Sequence, residues 1–227
     1  MRPALAVALG IVSLVLAACG GPASVTAPPT ATVYRPPTAT PTPSVVYQAD
    51  WSRGLAGWQA TPGWTVSGGT LVSDTGDKRT LTIPYTPTSA NYIVEMRIQI
   101  VSIPSTGGQI FLHGLPAPGA DGYLLGIFGL RAPGPHPFAD HPTITAYIDP
   151  QDDQDPNFIA TSVHDYEPGS LARTYQFIVS GSAALIAVDG HNFSWADSTV
   201  TNRLTTAPLV IMCSGVSLRI SNLRILE

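Results

Sequence analysis

Apolar and polar positions alternate with a period of two through most of the chain. Val94, Met96, Ile98 and Ile100 fall on one side and Glu95, Arg97 and Gln99 on the other, the mark of a strand with one buried face. Tyr175, Phe177 and Val179 repeat the pattern before Ser180-Gly181-Ser182, and Leu185 to Val188 runs into Asp189-Gly190; both breaks are hairpin turn signals. Trp64-Thr65-Val66, Ser67-Gly68-Gly69 and Thr70-Leu71-Val72 spell a third hairpin. Further on the parity changes: Val216, Leu218 and Ile220 are even, Leu223 and Ile225 odd. A β-bulge around Ser221-Asn222 absorbs such a slip. Helical periodicity is absent outside the first residues, so the pattern predicts an all-β protein of many short antiparallel strands in two sheets.

The first residues break this rhythm. Arg2 precedes fifteen apolar or small residues, Ala4 to Ala18, the length of a signal-peptide core and too short for a membrane-spanning helix. Leu16-Ala17-Ala18-Cys19 resembles the lipobox of bacterial lipoproteins. That resemblance implies cleavage before Cys19, a diacylglyceryl thioether on its thiol and a further acyl chain on its amine; two or more chains anchor a protein stably. The simpler alternative is an ordinary secretory signal cut at an Ala-x-Ala-like site. From Gly20 to Ser44 follow mostly Pro, Thr, Ala and Ser, as in Pro36-Pro37-Thr38-Ala39-Thr40-Pro41-Thr42-Pro43. Such a stretch cannot bury enough apolar surface to offset its ordering entropy; extended as polyproline, it reaches ~70 Å. The expected organisation is a signal peptide over 1–18, a lipidated cysteine and disordered spacer over 19–44, and one folded domain over 45–227, held at the bacterial cell envelope outside the cytoplasm.

Composition narrows the function. Hydrophobic residues make up 44% and charged residues 11% of the chain, with 22 Pro and 21 Gly, which suits turns between strands. The formal charge is −4 and Lys78 is the sole lysine, so nucleic-acid binding has no electrostatic footprint. With Cys19 acylated, Cys213 in the apolar run Leu209-Val210-Ile211-Met212-Cys213 has no disulfide partner and is expected to be buried and inert.

Specific motifs then give a resemblance. Asp50-Trp51-Ser52, Gly54-Leu55-Ala56-Gly57-Trp58 and Trp64-Thr65-Val66-Ser67-Gly68-Gly69-Thr70-Leu71 are similar to the opening strands of concanavalin A-like lectin/glucanase domains. Tyr175–Val179, Leu185–Gly190 and Val216–Ile225 are similar to closing segments of its laminin-G-like and 3-keto-disaccharide hydrolase-like branches. The resemblance covers most of 45–227 and implies a jelly-roll sandwich; these are fold motifs, which leave function open. Trp58 and Trp64, either side of Pro62-Gly63, are expected to pack the core edge rather than stack on sugars.

The chemistry is sparse. Glucanases of this fold carry paired carboxylates on one strand, as in E-x-D-x-x-E, spaced about 5–5.5 Å for a retaining mechanism. Here the only glutamates are Glu95, Glu167 and Glu227, and Glu95 is followed on its own face by Arg97 and Gln99, which reads as a charge pair with Arg97 on a solvated face. G-x-S-x-G, H-E-x-x-H, P-loop and C-x-x-C motifs are absent. His136 and His141 on a Pro-rich stretch are the nearest approach to a transition-metal pair, against a plain surface loop. Asp149, Asp152, Asp153 and Asp155 crowd one loop and are candidate calcium ligands; an acidic loop is otherwise simply solvated. No other cofactor is expected. The leading reading is a non-catalytic, carbohydrate-recognising module whose middle strands, around Gln109 to His113 and Gly122 to Phe128, supply one concave face, with His113, Tyr123, Arg131 and Tyr147 as candidate contacts. The alternatives are an enzyme of the 3-keto-disaccharide hydrolase-like branch using Asp121, His113 and His164, and a structural lipoprotein that packs on a protein partner.

Overall fold

The alternation along each strand becomes two faces of a sheet. The computed structural model describes residues 42–103, 107–130, 142–149, 163–197 and 203–227. In chain order the strands are β1 (Val45–Gln48), β2 (Gln59–Ala60), β3 (Trp64–Ser67), β4 (Thr70–Ser73), β5 (Arg79–Thr82), β6 (Asn91–Ser102), β7 (Gly108–Gly114) and β8 (Ala120–Leu130). They continue as β9 (Thr143–Asp149), β10 (Val163–Asp165), β11 (Arg173–Ser180), β12 (Ala183–Val188), β13 (His191–Asp197), β14 (Arg203–Leu204), β15 (Leu209–Ser214) and β16 (Ser217–Leu226). The first sheet runs β13-β12-β11-β6-β16-β4-β3, with β1 also on β16; the second runs β10-β9-β8-β7-β15-β5-β2, with β14 on β8. Every pairing is antiparallel except the short β14–β8 contact. This is the expected jelly-roll sandwich.

The core lies between the sheets. Tyr92, Val94, Met96, Ile98 and Ile100 of β6 meet Ile110, Leu112, Tyr123, Leu125 and Ile127 of β7 and β8 in one cluster. Each fully buried side chain of this size contributes about 1.5–3 kcal/mol. Two phenols in that core satisfy each other: Tyr92 and Tyr123 hydroxyls are 2.6 Å apart, and Tyr92 donates to Thr205 O at 3.1 Å. Burial pushes both well above the ordinary tyrosine value.

The sequence-level turns hold. Ser67-Gly68-Gly69-Thr70 joins β3 to β4 with φ of 57° and 71° at the two glycines, and Asp189-Gly190 joins β12 to β13 with φ of 48° and 81°; positive φ at both central residues marks a type I′ hairpin. On β16 the register shifts between Ile220 and Asn222, so that Leu218 and Ile220, then Leu223 and Ile225, all reach the core. Trp64 is 6% exposed, and Trp58 packs on Trp51 at 5.1 Å and on Tyr47 at 6.4 Å. Cys213 is buried, which pushes its thiol up to about 11.

One expectation is corrected. Glu95 does not pair with Arg97. It is only 8% exposed and accepts from Arg224 Nε at 2.8 Å and Gln176 Nε2 at 3.1 Å. These residues stand directly opposite it on β16 and β11, whereas Arg97 points the same way one pleat further along its own strand.

Candidate functional site

The outward side of the second sheet carries a row of rings. Its cause is strand register: Phe111 on β7 is paired with Gly126 on β8, and Gly126 with Thr145 on β9; one pleat along, His113, Leu124 and Tyr147 are in register. Phe111 stacks on Phe128 at 5.8 Å, Phe128 meets Tyr147 edge-on at 5.5 Å, and His113 lies edge-on to Phe111 at 6.4 Å. Gly126 makes this packing feasible. A Cβ there would collide with Ile110 O and with Phe111, so the missing side chain lets the rings close over β8.

Exposure divides the row. Phe111 and His113 are each 3% exposed, while Phe128 and Tyr147 are half-buried. The buried pair braces the two rings that solvent reaches. Thr145 lies on the same side of the sheet but is fully buried, its hydroxyl without a hydrogen-bond partner among the described residues. The outward positions of the neighbouring strands are Thr80 and Thr82 on β5 and Val210 and Met212 on β15. These neighbours are uncharged; toward the other edge, Asp165 on β10 lies in register with Thr143 and Phe128.

The sequence candidates fare differently. Tyr147 and His113 do come together on this face. Tyr123 does not: it is fully buried, on the core side of β8, bonded to Tyr92. Arg131, Cys19, His136, His141, Asp152, Asp153 and Asp155 lie outside the described residues, and Asp149 closes β9. Among the described residues no three His, Cys, Asp or Glu side chains converge as a metal site. Of the acid/base group, strand alternation puts Asp121 on the side of Tyr123, opposite to His113, and exposed His164 sits on edge strand β10 opposite Ile144. Sequence reading points to the stretches that hold Phe111, Gly126 and Phe128 without singling these residues out, and it misses Thr145.

The glutamates are all elsewhere. Glu95 is held by Arg224 on the outer side of the first sheet, and Glu167 is an exposed residue between β10 and β11. Glu227 accepts from Thr88 N at 2.7 Å, Thr88 Oγ1 at 2.6 Å and Tyr85 OH at 3.4 Å.

No protein-family profile matches the sequence, and no curated protein does. Solved structures do share the fold. The carbohydrate-binding module CBM66 from Bacillus subtilis is similar at TM-score 0.53 and 12% identity, over 75% of this chain and 96% of that one. The catalytic domain of an endo-1,3-β-glucanase (laminarinase) from Thermotoga petrophila is similar at TM-score 0.58 and 10% identity, over 82% and 98%. A Bacillus subtilis protein with a galectin-like fold matches at TM-score 0.58 and 13% identity, over 81% and 97%.

Proposed function

We propose that this domain is a non-catalytic carbohydrate-binding module, held at the bacterial envelope by lipid on Cys19 and displayed on the Pro/Thr-rich spacer. The observation that carries the binding reading is the braced row His113–Phe111–Phe128–Tyr147, bordered by uncharged positions on β5 and β15. Partly exposed rings stack on the apolar face of a pyranose, and rings already locked by neighbours lose little entropy on binding. The face lacks the glutamate pair on which retaining glucanases depend, and the groups an alternative hydrolase would use sit on opposite sides of the sheet. The reading therefore favours a neutral glycan and no turnover.

The test is a panel of neutral and charged oligosaccharides offered to the full chain in detergent, with binding and product formation both followed. Saturable binding of a neutral glycan without cleavage supports the proposal. Cleavage points to the hydrolase reading, and silence across the panel to a partner-binding lipoprotein.

A further inference from the structure

The outer face of the first sheet, on the far side of the core from the ring row, holds a second arrangement that the neutral-glycan reading does not use. Arg97 on β6 stands opposite Asn222 on β16; Arg224 stands opposite Glu95, two residues before Arg97, and Arg219 opposite Gln99, two residues after it. Diagonal neighbours in an antiparallel pair are about 7–8 Å apart or less, so three guanidinium groups share one small area. Glu95 answers Arg224. Arg97 and Arg219 are both exposed and, among the described residues, pair with no carboxylate. Like charges on one face repel; the Asp189 carboxylate offsets part of the Arg97 charge, and an incoming anion removes the cost that remains at Arg219.

Beside them lies a groove of about 460 Å³ lined by Thr65, Ser67, Gly68, Thr70, Val72 and Arg219, within the usual volume of a ligand site. Register builds it: Thr65 on β3, Val72 on β4, Arg219 on β16 and Gln99 on β6 form one cross-strand line. The Thr70 hydroxyl donates to Ser67 O at 2.8 Å, which leaves its oxygen free to accept. The groove floor thus sets a planar cationic fork on β16 beside hydroxyls on β3 and β4.

We propose that this groove binds the carboxylate of an acidic polysaccharide. Arg219 takes the carboxylate bidentately, Arg97 adds long-range attraction, and the hydroxyls of Thr65, Ser67 and Thr70 meet the ring hydroxyls of the uronate. A planar carboxylate suits the guanidinium fork, and hydroxyls on the neighbouring strands suit a sugar better than a lipid headgroup. The module would then grip two kinds of envelope or matrix polymer from opposite faces.

The test measures binding of a galacturonate oligomer to the full chain in detergent, with glycerol 3-phosphate as the headgroup mimic. The expected result is saturable binding that weakens with salt and falls about tenfold or more in Arg219→Gln. Arg53→Gln, which removes an equally exposed charge elsewhere, leaves it unchanged. Phe128→Ala with Tyr147→Ala also leaves it unchanged, which separates this site from the ring row. Arg219 is exposed, so an unaltered melting midpoint certifies that the variant is folded. No binding, an equal loss in Arg53→Gln, or glycerol 3-phosphate bound as tightly as the oligomer would overturn the proposal.

Discussion

Gly126 decides how closely Phe111 can settle on β8, and through it whether Phe128 has a partner to stack on. Gly126→Ala puts a methyl group into Ile110 O and Phe111, and overpacking of this kind costs about 1–3 kcal/mol. The melting midpoint should drop by roughly 2–4 °C per kcal/mol, with glycan affinity falling too, because the ring row must shift; calorimetry and a binding titration check both. Tyr123→Phe should separate the two readouts. It removes one buried hydrogen bond to Tyr92, worth about 1 kcal/mol, and lowers the midpoint while leaving glycan binding as it was. The sequence offered Tyr123 and Tyr147 as equals for a physical reason. From Asp121 to Ile127 every residue of β8 is buried, so the period-two signal that tells inside from outside is missing there. Gly126 hid in the same run, and Phe111 in the equally buried run from Ile110 to Gly114 on β7.

At the scale of the element, turns and bulges were legible where side-chain roles were not. The Gly68-Gly69 and Asp189-Gly190 turns and the slip at Ser221 could be read because each rests on local backbone chemistry or on parity alone. The partner of Glu95 could not, since it depends on which strands flank β6, and both come from distant sequence. The β12–β13 turn also carries a pH dependence. Asp189 accepts from Thr174 N at 2.9 Å and from Arg173 Nη1 at 2.9 Å; the Thr174 N–H first, and Arg173 with it, hold its carboxyl below the ordinary aspartate value. A carboxyl lowered on folding contributes stability that is present above its unfolded value and lost as pH falls through its folded one. Stability from this turn should be complete at neutral pH and fade in acid. Asp189→Asn, which tolerates the positive φ, should flatten the acid limb of a plot of melting midpoint against pH; an identical limb would remove Asp189 from the account.

For the whole molecule, the fold was legible from the N-terminal Trp/Gly motifs and the strand pattern, whereas the binding face emerges only when β7, β8 and β9 are set side by side. The proposed anchor belongs to this scale as well. Cys19→Ser should move the protein from the membrane fraction to the soluble one, read by fractionation and immunoblot, and a variant that stays with the membrane would mean another attachment. The central claim is that partly exposed, braced rings on the second sheet bind a neutral glycan. Its most direct test is the affinity of the Phe128→Ala/Tyr147→Ala double variant for whichever neutral oligosaccharide the native chain binds. The rings are half-buried, so the variant should stay folded, by an intact cooperative melt, while its affinity falls by about tenfold or more. An affinity equal to that of the native chain in a folded double variant would contradict the claim.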